Sequence, residues 1–250
     1  MIRILFLLSG LIVTASGAWG DDTFKLPKVL PREVYGNIMI NRTSTKNGMK
    51  PVVFSHWQHR TKYTCRVCHA ELDFNMKTNT TEIREVANRQ GKFCGACHNG
   101  KISFKPNGNC DKCHSGDIDY KSENYADFAK KNFPRTSFGD GINWVEALKT
   151  GVIKPKNFLK TESSDIPFDK NLILEAGWTG ISPVVFSHKI HLQWLECSNC
   201  HPDLFNIKKR TTAHFSMDYI INGQFCGACH LTVAFPINDC KRCHPGILRN

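Results

Sequence analysis

After Val13 the sequence contains no apolar run long enough to cross a bilayer, so no membrane span is expected. It has no glycine-rich phosphate loop and no nucleophile-and-base constellation, which leaves nucleotide chemistry and covalent catalysis without a carrier. No cysteine lies near the small residues Ser16, Gly17, Ala18 and Gly20, so a lipid anchor is not expected either. Those residues follow Met1-Ile2-Arg3 and the apolar run Ile4 to Val13, and precede Asp21-Asp22. A positive start, a short apolar stretch and a small-residue cleavage site read as a secretory signal over residues 1–20. An exported chain, bacterial and periplasmic, is the expectation.

Unpaired cysteine is also missing. The twelve cysteines form six Cys-x-x-Cys pairs: Cys65/Cys68, Cys94/Cys97, Cys110/Cys113, Cys197/Cys200, Cys226/Cys229 and Cys240/Cys243. Each is followed at once by a histidine: His69, His98, His114, His201, His230 and His244. Histidine is only 11 of 250 residues, so six coincidences are excluded. In an exported chain, twelve cysteines would ordinarily suggest disulfides, but a disulfide framework leaves the histidines unexplained. Structural zinc does not require histidine directly after the second cysteine. A thioredoxin-like motif would occur once.

Residues at i, i+3 and i+4 share one face of a helical turn. Two thiols can then add to the vinyl groups of one porphyrin while the imidazole reaches its iron from the same side. C-x-x-C-H is the attachment signature of c-type haem, and six copies imply six covalent haem c groups. This also changes the reading of charge. The formal +11 invites a nucleic-acid partner, but twelve propionates would bring the mature protein to about −2, and no nucleic acid is expected.

The motifs are organised by a duplication. Pro51-Val52-Val53-Phe54-Ser55-His56 recurs as Pro183-Val184-Val185-Phe186-Ser187-His188, an offset of 132 that persists through Phe93-Cys94-Gly95-Ala96-Cys97-His98 and Phe225-Cys226-Gly227-Ala228-Cys229-His230. A fainter echo matches Tyr35-Gly36-Asn37 to Phe138-Gly139-Asp140. This divides the chain into a first three-haem module at 21–120, a linker with short ordered segments at 121–180, and a second module at 181–250.

Strands are expected at Val34 to Ile40 and Pro51 to Phe54, with a turn at Asn47-Gly48, and short helices at Tyr125 to Asn132 and Trp144 to Thr150. Each module has too few apolar residues for an ordinary core. The expected fold is therefore small, irregular and haem-cored: short helices, one two-stranded hairpin per module, and little regular secondary structure.

Five histidines lie outside the motifs: His56, His59, His188, His191 and His214. His56-x-x-His59 and His188-x-x-His191 precede the first motif of each module by the same distance. On a helix their positions differ by about 4.5 Å of rise, so as distal ligands they would hold two irons close together.

Phe-x-His-x-x-His, then Cys-x-x-Cys-His, then Gly91 to Gly100, then Gly108 to His114 resembles the triheme cytochrome c7 family, which belongs with the class III cytochromes related to cytochrome c3. The resemblance covers roughly 51–114 and 183–244. It implies that His56 serves the haem at Cys65/Cys68 and His59 that at Cys94/Cys97, with His188 and His191 serving Cys197/Cys200 and Cys226/Cys229. The family's third haem takes its distal ligand from shortly before the second motif, as His or Met. The second copy offers His214 and Met217; the first has Glu82 and Glu85 at the aligned positions, with Met76 as its nearby soft ligand. The Cys110/Cys113 haem is thus Met76-ligated, five-coordinate or otherwise ligated.

Irons filled on both sides pass electrons and leave little room for substrate. The expected role is an electron carrier between redox partner proteins in anaerobic respiration, not an enzyme. The alternatives are a small-molecule reductase at the Cys110/Cys113 haem, or a haem subunit of a larger complex.

Overall fold

The computed structural model of the chain describes residues 25–119, 122–160, 167–176, 180–206 and 216–247. The signal segment, His214 and the 207–215 stretch around it lie outside the described residues.

The chain first turns on Pro31, whose carbonyl accepts from the Val34 and Tyr35 amides at 3.1 and 2.9 Å. Gly36 follows at φ 91°, a left-handed conformation open chiefly to glycine. Strand β1, Asn37–Ile40, therefore starts three residues later than the apolar run suggests. It pairs antiparallel with β2, Val52–Ser55, from Asn37 opposite Ser55 to Ile40 opposite Val52. Between them a 3₁₀ turn, Thr45–Asn47, closes on Gly48 at φ 68°, so the Asn-Gly signal marks a longer loop than a two-residue hairpin. Helix α1, His56–Arg60, continues directly from β2.

The same unit recurs in the second half. Strand β3, Asn171–Leu174, pairs with β4, Val184–Ser187, from Asn171 opposite Ser187 to Leu174 opposite Val184, and α5, His188–Leu192, follows. The expected echo at Phe138-Gly139-Asp140 is corrected here. The structural counterpart of Asn37-Ile38-Met39-Ile40 is Asn171-Leu172-Ile173-Leu174, because only an apolar strand immediately before the hairpin loop can pair with Val184–Ser187. The stretch read as linker thus contributes a strand to the second hairpin.

Helix α2, Glu85–Arg89, packs against the 3₁₀ turn Phe93–Ala96, and in the second half α6, Met217–Ile221, packs against α7, Gly227–His230. A Cβ on Gly95 would stand 1.8 Å from the Asn88 carbonyl oxygen, and one on Gly227 1.8 Å from that of Ile220. Phe93 and Phe225, just before these motifs, both have positive φ, 47° and 51°. The duplication therefore extends to backbone strain, which persists only where surrounding structure holds it.

The one cluster of buried apolar residues, among those described, lies outside both modules, around Phe133, Ile142, Ala147 and Ile153. Helices α3, Ser122–Ala129, and α4, Trp144–Lys149, bracket it. The Asn143 side chain caps α4 by accepting from the Glu146 amide at 3.2 Å. Asp140 accepts from Trp144 Nε1 at 2.8 Å and from the Ile142 amide at 3.1 Å. Trp57 of α1 is 2% exposed and wedges its ring between Tyr125 and Phe128, so the segment is fastened to the first module. Further on, Lys156 pairs with the chain at Lys62 and Thr64, and the Glu71 carboxylate accepts from the Leu159 and Lys160 amides at 2.7 and 2.9 Å. The inserted segment thus grips the first motif on both flanks. Between residues 180 and 247 the described part of the second module has no buried valine, leucine, isoleucine or aromatic side chain. Such a unit lacks the apolar core that a domain of this size needs, as expected for a fold built around prosthetic groups.

Candidate haem-binding sites

Five of the six motifs wind into a single turn in which the histidine amide donates to the carbonyl of the first cysteine. The distances are 2.9 Å at His98, His114 and His201, 3.0 Å at His230 and 2.8 Å at His244. In the first motif Cys65 and Arg66 are helical and a wider turn, Val67–Glu71, follows, in which the Leu72 amide reaches the Val67 carbonyl. These turns bring Cys, Cys and His to one side. None of the twelve cysteines is disulfide-bonded, and among the described residues no three acidic, cysteine or histidine side chains converge as a zinc site requires.

The second cysteine of three motifs closes a 3₁₀ turn in the same way, Cys97 at φ −107° and ψ −36° and Cys200 at φ −114° and ψ −34°. In the third motif the turn spans Cys110–Lys112, and Cys113 caps it at φ −111° and ψ −48°. The Cys113 carbonyl accepts from the Val53 amide of β2 at 2.9 Å, which ties the third motif to the hairpin. The two thiols of this motif also differ in setting, Cys110 exposed and Cys113 half-buried. Cys113 lies near the second motif as well. Burial pushes the Cys94 thiol up to about 11, and the charge of Cys113 adds to it. The second module repeats this pairing, with Cys243 adding to the burial that raises Cys226 to about 12.

The histidines share a second property. In all ten that are described, Nδ1 contacts a backbone carbonyl. In the motifs, His69 meets Phe74, His98 Phe104, His201 Phe205 and His230 Phe235, at 2.7 to 3.1 Å. His114 reaches Lys50 and His244 reaches Ser182, both at 2.7 Å, so the last motif of each module closes onto the residue before Pro51 or Pro183. Outside the motifs, His56 meets Gly36, His59 Ser55, His188 Lys170 and His191 Ser187. A carbonyl can only accept, so each Nδ1 carries the proton and each Nε2 keeps its lone pair. This is the tautomer of a metal-ligating histidine, fixed by an outer hydrogen bond.

Phenylalanine completes the orientation. Phe54 stacks on His59, with centroids 4.3 Å apart, and meets His56 edge-on at 4.8 Å; Phe186 repeats this with His191 at 4.4 Å and His188 at 4.9 Å.

The ring centroids of His59 and His98 lie 6.3 Å apart with their planes at 53°, and those of His191 and His230 lie 6.3 Å apart at 67°. Two metal–nitrogen bonds of about 2.0–2.1 Å, with roughly 1.1 Å from each nitrogen to its ring centre, span about 6.3 Å. The gap therefore fits one iron between each pair of imidazoles.

Burial keeps these rings neutral. It is the main cause that pushes His56 down to about 3, with the Arg60 guanidinium and the nearby His69 ring adding to it. Burial, with His191 nearby, pushes His230 down to about 4. His59, His69, His98 and His191 are likewise lowered, burial again the main cause.

The third site of each module is less closed. Met76 is half-buried in a loop that the Asn75 amide closes onto Thr81 Oγ1 at 2.8 Å, and Asn79 ties this loop to Asn41 beside β1. Glu82 is engaged by Arg84, and Glu85 by Arg89 at 2.9 Å, so both carboxylates are held in surface ion pairs. Met217 is half-buried at the first position of α6.

The family model described as "Cytochrome c7 and related cytochrome c" matches residues 52–115 and 184–245. The chain belongs to the cytochrome c7 family. It is a multihaem c-type cytochrome whose six motifs carry six covalent haem c groups. No curated protein matches it. Among solved structures, a "c7-type three-heme cytochrome domain" is 34% identical, over 32% of this chain and 91% of that one, with a TM-score of 0.28. The C-terminal hexaheme fragment of GSU1996 is 24% identical, over 87% and 99%, with a TM-score of 0.29. The dodecaheme cytochrome c GSU1996 is 22% identical, over 85% and 75%, with a TM-score of 0.27. The family assignment rests on the two matched regions.

Sequence reasoning passed over Tyr35, Arg60 and Arg66, which bind the second half of the chain. Their departure from the repeat was the available signal: at an offset of 132, Arg60 and Arg66 face Leu192 and Ser198.

Proposed function

We propose that the protein is an exported, periplasmic hexahaem electron carrier of anaerobic respiration, receiving electrons from one redox protein and delivering them to another. Its first module spans 21–120 and its second 181–250, with 1–20 removed on export. The observation that carries this reading is the separation of 6.3 Å between the ring centres of His59 and His98, and again between those of His191 and His230. An iron held between two protein imidazoles has no position left for substrate, and exchanges electrons only.

Each haem supplies a one-electron ferric–ferrous couple. The polypeptide does the rest. His98 and His230 take the proximal side and His59 and His191 the distal side of the second haem in each module; His69 and His201, with His56 and His188, serve the first. His114 and His244 hold the third haems from the proximal side, with His214 or Met217 opposite His244 and Met76 the candidate opposite His114. The Nδ1 bonds fix each ring, and the spacing of His56 from His59 on one helical turn holds two irons close together.

A second reading attaches to one site. Five histidines lie outside the motifs for six haems, and the first module holds only two of them. The haem at Cys110 and Cys113 therefore has no second imidazole from its own module, and an open position there would admit a small ligand such as nitrite.

Spectroelectrochemical titration of the holoprotein tests the carrier. Reversible uptake of six electrons per chain, with low-spin spectra throughout, is the expected result. Irreversible uptake would reject it, and carbon monoxide binding at one haem in six would favour the second reading.

A further inference from the structure

The two modules are joined by bonds that have no counterpart within the repeat. Tyr35, 2% exposed, donates its hydroxyl to the Ala234 carbonyl at 2.7 Å. Arg60 donates Nη2 to the Val233 carbonyl at 2.5 Å while its guanidinium lies 4.9 Å from the centre of the Trp144 ring. Arg66 stands between Cys65 and Val67, inside the first motif, and is 4% exposed. Its Nη2 reaches the carbonyls of Leu192 and Leu195 at 2.5 and 2.9 Å, and its amide donates to Trp194 at 3.0 Å. Gly139 is pressed into the same seam: a Cβ there would lie 3.2 Å from Pro236 and 3.3 Å from Tyr35.

These acceptors are not scattered. Leu192 to Leu195 lead directly into Cys197, and Val233 and Ala234 follow directly from Cys229 and His230. The turn Val67–Glu71 of the first motif packs against the turn Cys197–Asn199 of the fourth. A guanidinium is costly to bury unless it is hydrogen-bonded, and Nη2 of each arginine meets carbonyls of the other module.

We propose that Arg60, Arg66 and Tyr35 form a clamp that sets the place where electrons cross between the modules, from the haem at Cys65/Cys68 to that at Cys197/Cys200. This rests on the electron-carrier reading. One electron leaves the ferrous iron of the first site, which becomes ferric, and reduces the ferric iron of the fourth; no bond or proton changes hands. The clamp residues are positioning residues. Arg66 has a second effect, since a fixed positive charge beside the crossing favours the electron-rich form and raises the potential there.

The test uses the full-length holoprotein with a protease site placed between residues 160 and 167. After cleavage the two halves are expected to stay together on gel filtration, and to separate when Arg60→Leu and Arg66→Ser install the residues of the second module. In the uncut double variant at least one midpoint potential is expected to fall and electron equilibration between halves to slow, with six haems and low-spin spectra retained. Halves that separate without the substitutions, or a double variant with unchanged potentials and rates, would overturn the clamp. If the variant fails to load haem, the cleavage of the unsubstituted protein decides alone. A wild-type chain lacking reversible electron uptake would instead defeat the carrier reading.

Discussion

His59 illustrates how several weak local forces prepare one strong bond. The Ser55 carbonyl accepts a hydrogen bond from its Nδ1 at 3.0 Å, Phe54 stacks on one face, and burial keeps it uncharged. The Nε2 lone pair is therefore present at neutral pH without any rearrangement. Replacing His59 by alanine is expected to leave six haems attached and turn one of them high-spin, seen as one-sixth of the oxidised iron by optical and magnetic spectra. An unchanged low-spin spectrum would remove His59 from the ligand set. Asp140 gives a pH signature of another kind. Burial is the main cause that raises its carboxyl above the ordinary 3.8, although Arg60 and the Trp144 indole oppose this. An acid whose folded value is raised holds its proton more tightly when folded, so its contribution to stability is greatest below 3.8 and is lost as pH rises through the folded value. The difference in unfolding free energy between wild type and Asp140→Asn is expected to shift in favour of the variant over that rise. Denaturation curves at pH 4 and pH 7 measure it, and a pH-independent difference would contradict it.

Among the elements, the turn Phe93–Ala96 shows why a glycine stands in the second motif of both modules. Gly95 lies against the Asn88 carbonyl of α2 with no room for a methyl group, and Gly227 lies the same way against Ile220. Gly95→Ala forces helix and motif apart, and overpacking of this kind costs about 1–3 kcal/mol. The expected outcome is a chain with a lowered unfolding midpoint and incomplete haem loading at Cys94/Cys97, readable by thermal melts and intact mass. Full loading with an unaltered midpoint would show that α2 yields freely. These local elements were legible because covalent attachment fixes short spacings: Cys, Cys and His at i, i+3 and i+4, and His-x-x-His in one turn. The tie between the third motif and the hairpin was not, because the Cys113 carbonyl meets an amide, that of Val53, sixty residues earlier in the chain. Strand β3 was legible too, since Asn171-Leu172-Ile173-Leu174 echoes Asn37-Ile38-Met39-Ile40, but its offset of 134 hid it behind the glycine echo at 139. The inserted cluster around Phe133 and Ala147 was not readable as a unit. Its apolar residues are spread over a stretch rich in charge, proline and glycine, and Trp57 and Trp194, which belong to the modules, pack against them.

At the scale of the molecule, the modules differ in what holds them. The first leans on the inserted segment through Trp57, Lys156 and Glu71, while the described part of the second has no core residues of its own. Prosthetic groups must supply the apolar centre there, and binding energy becomes folding energy, so the second module is expected to unfold first when haem attachment is prevented. The seam made by Tyr35, Arg60 and Arg66 could not be foreseen, because acceptors more than 120 residues away carry no pattern in the sequence. Low-temperature electron paramagnetic resonance of the oxidised holoprotein tests most directly whether protein imidazoles saturate the irons. The expected spectrum is dominated by low-spin ferric haem with paired imidazoles in at least the four sites served by His56, His59, His188 and His191, with the Cys110/Cys113 haem distinct. High-spin iron at all six sites would contradict it.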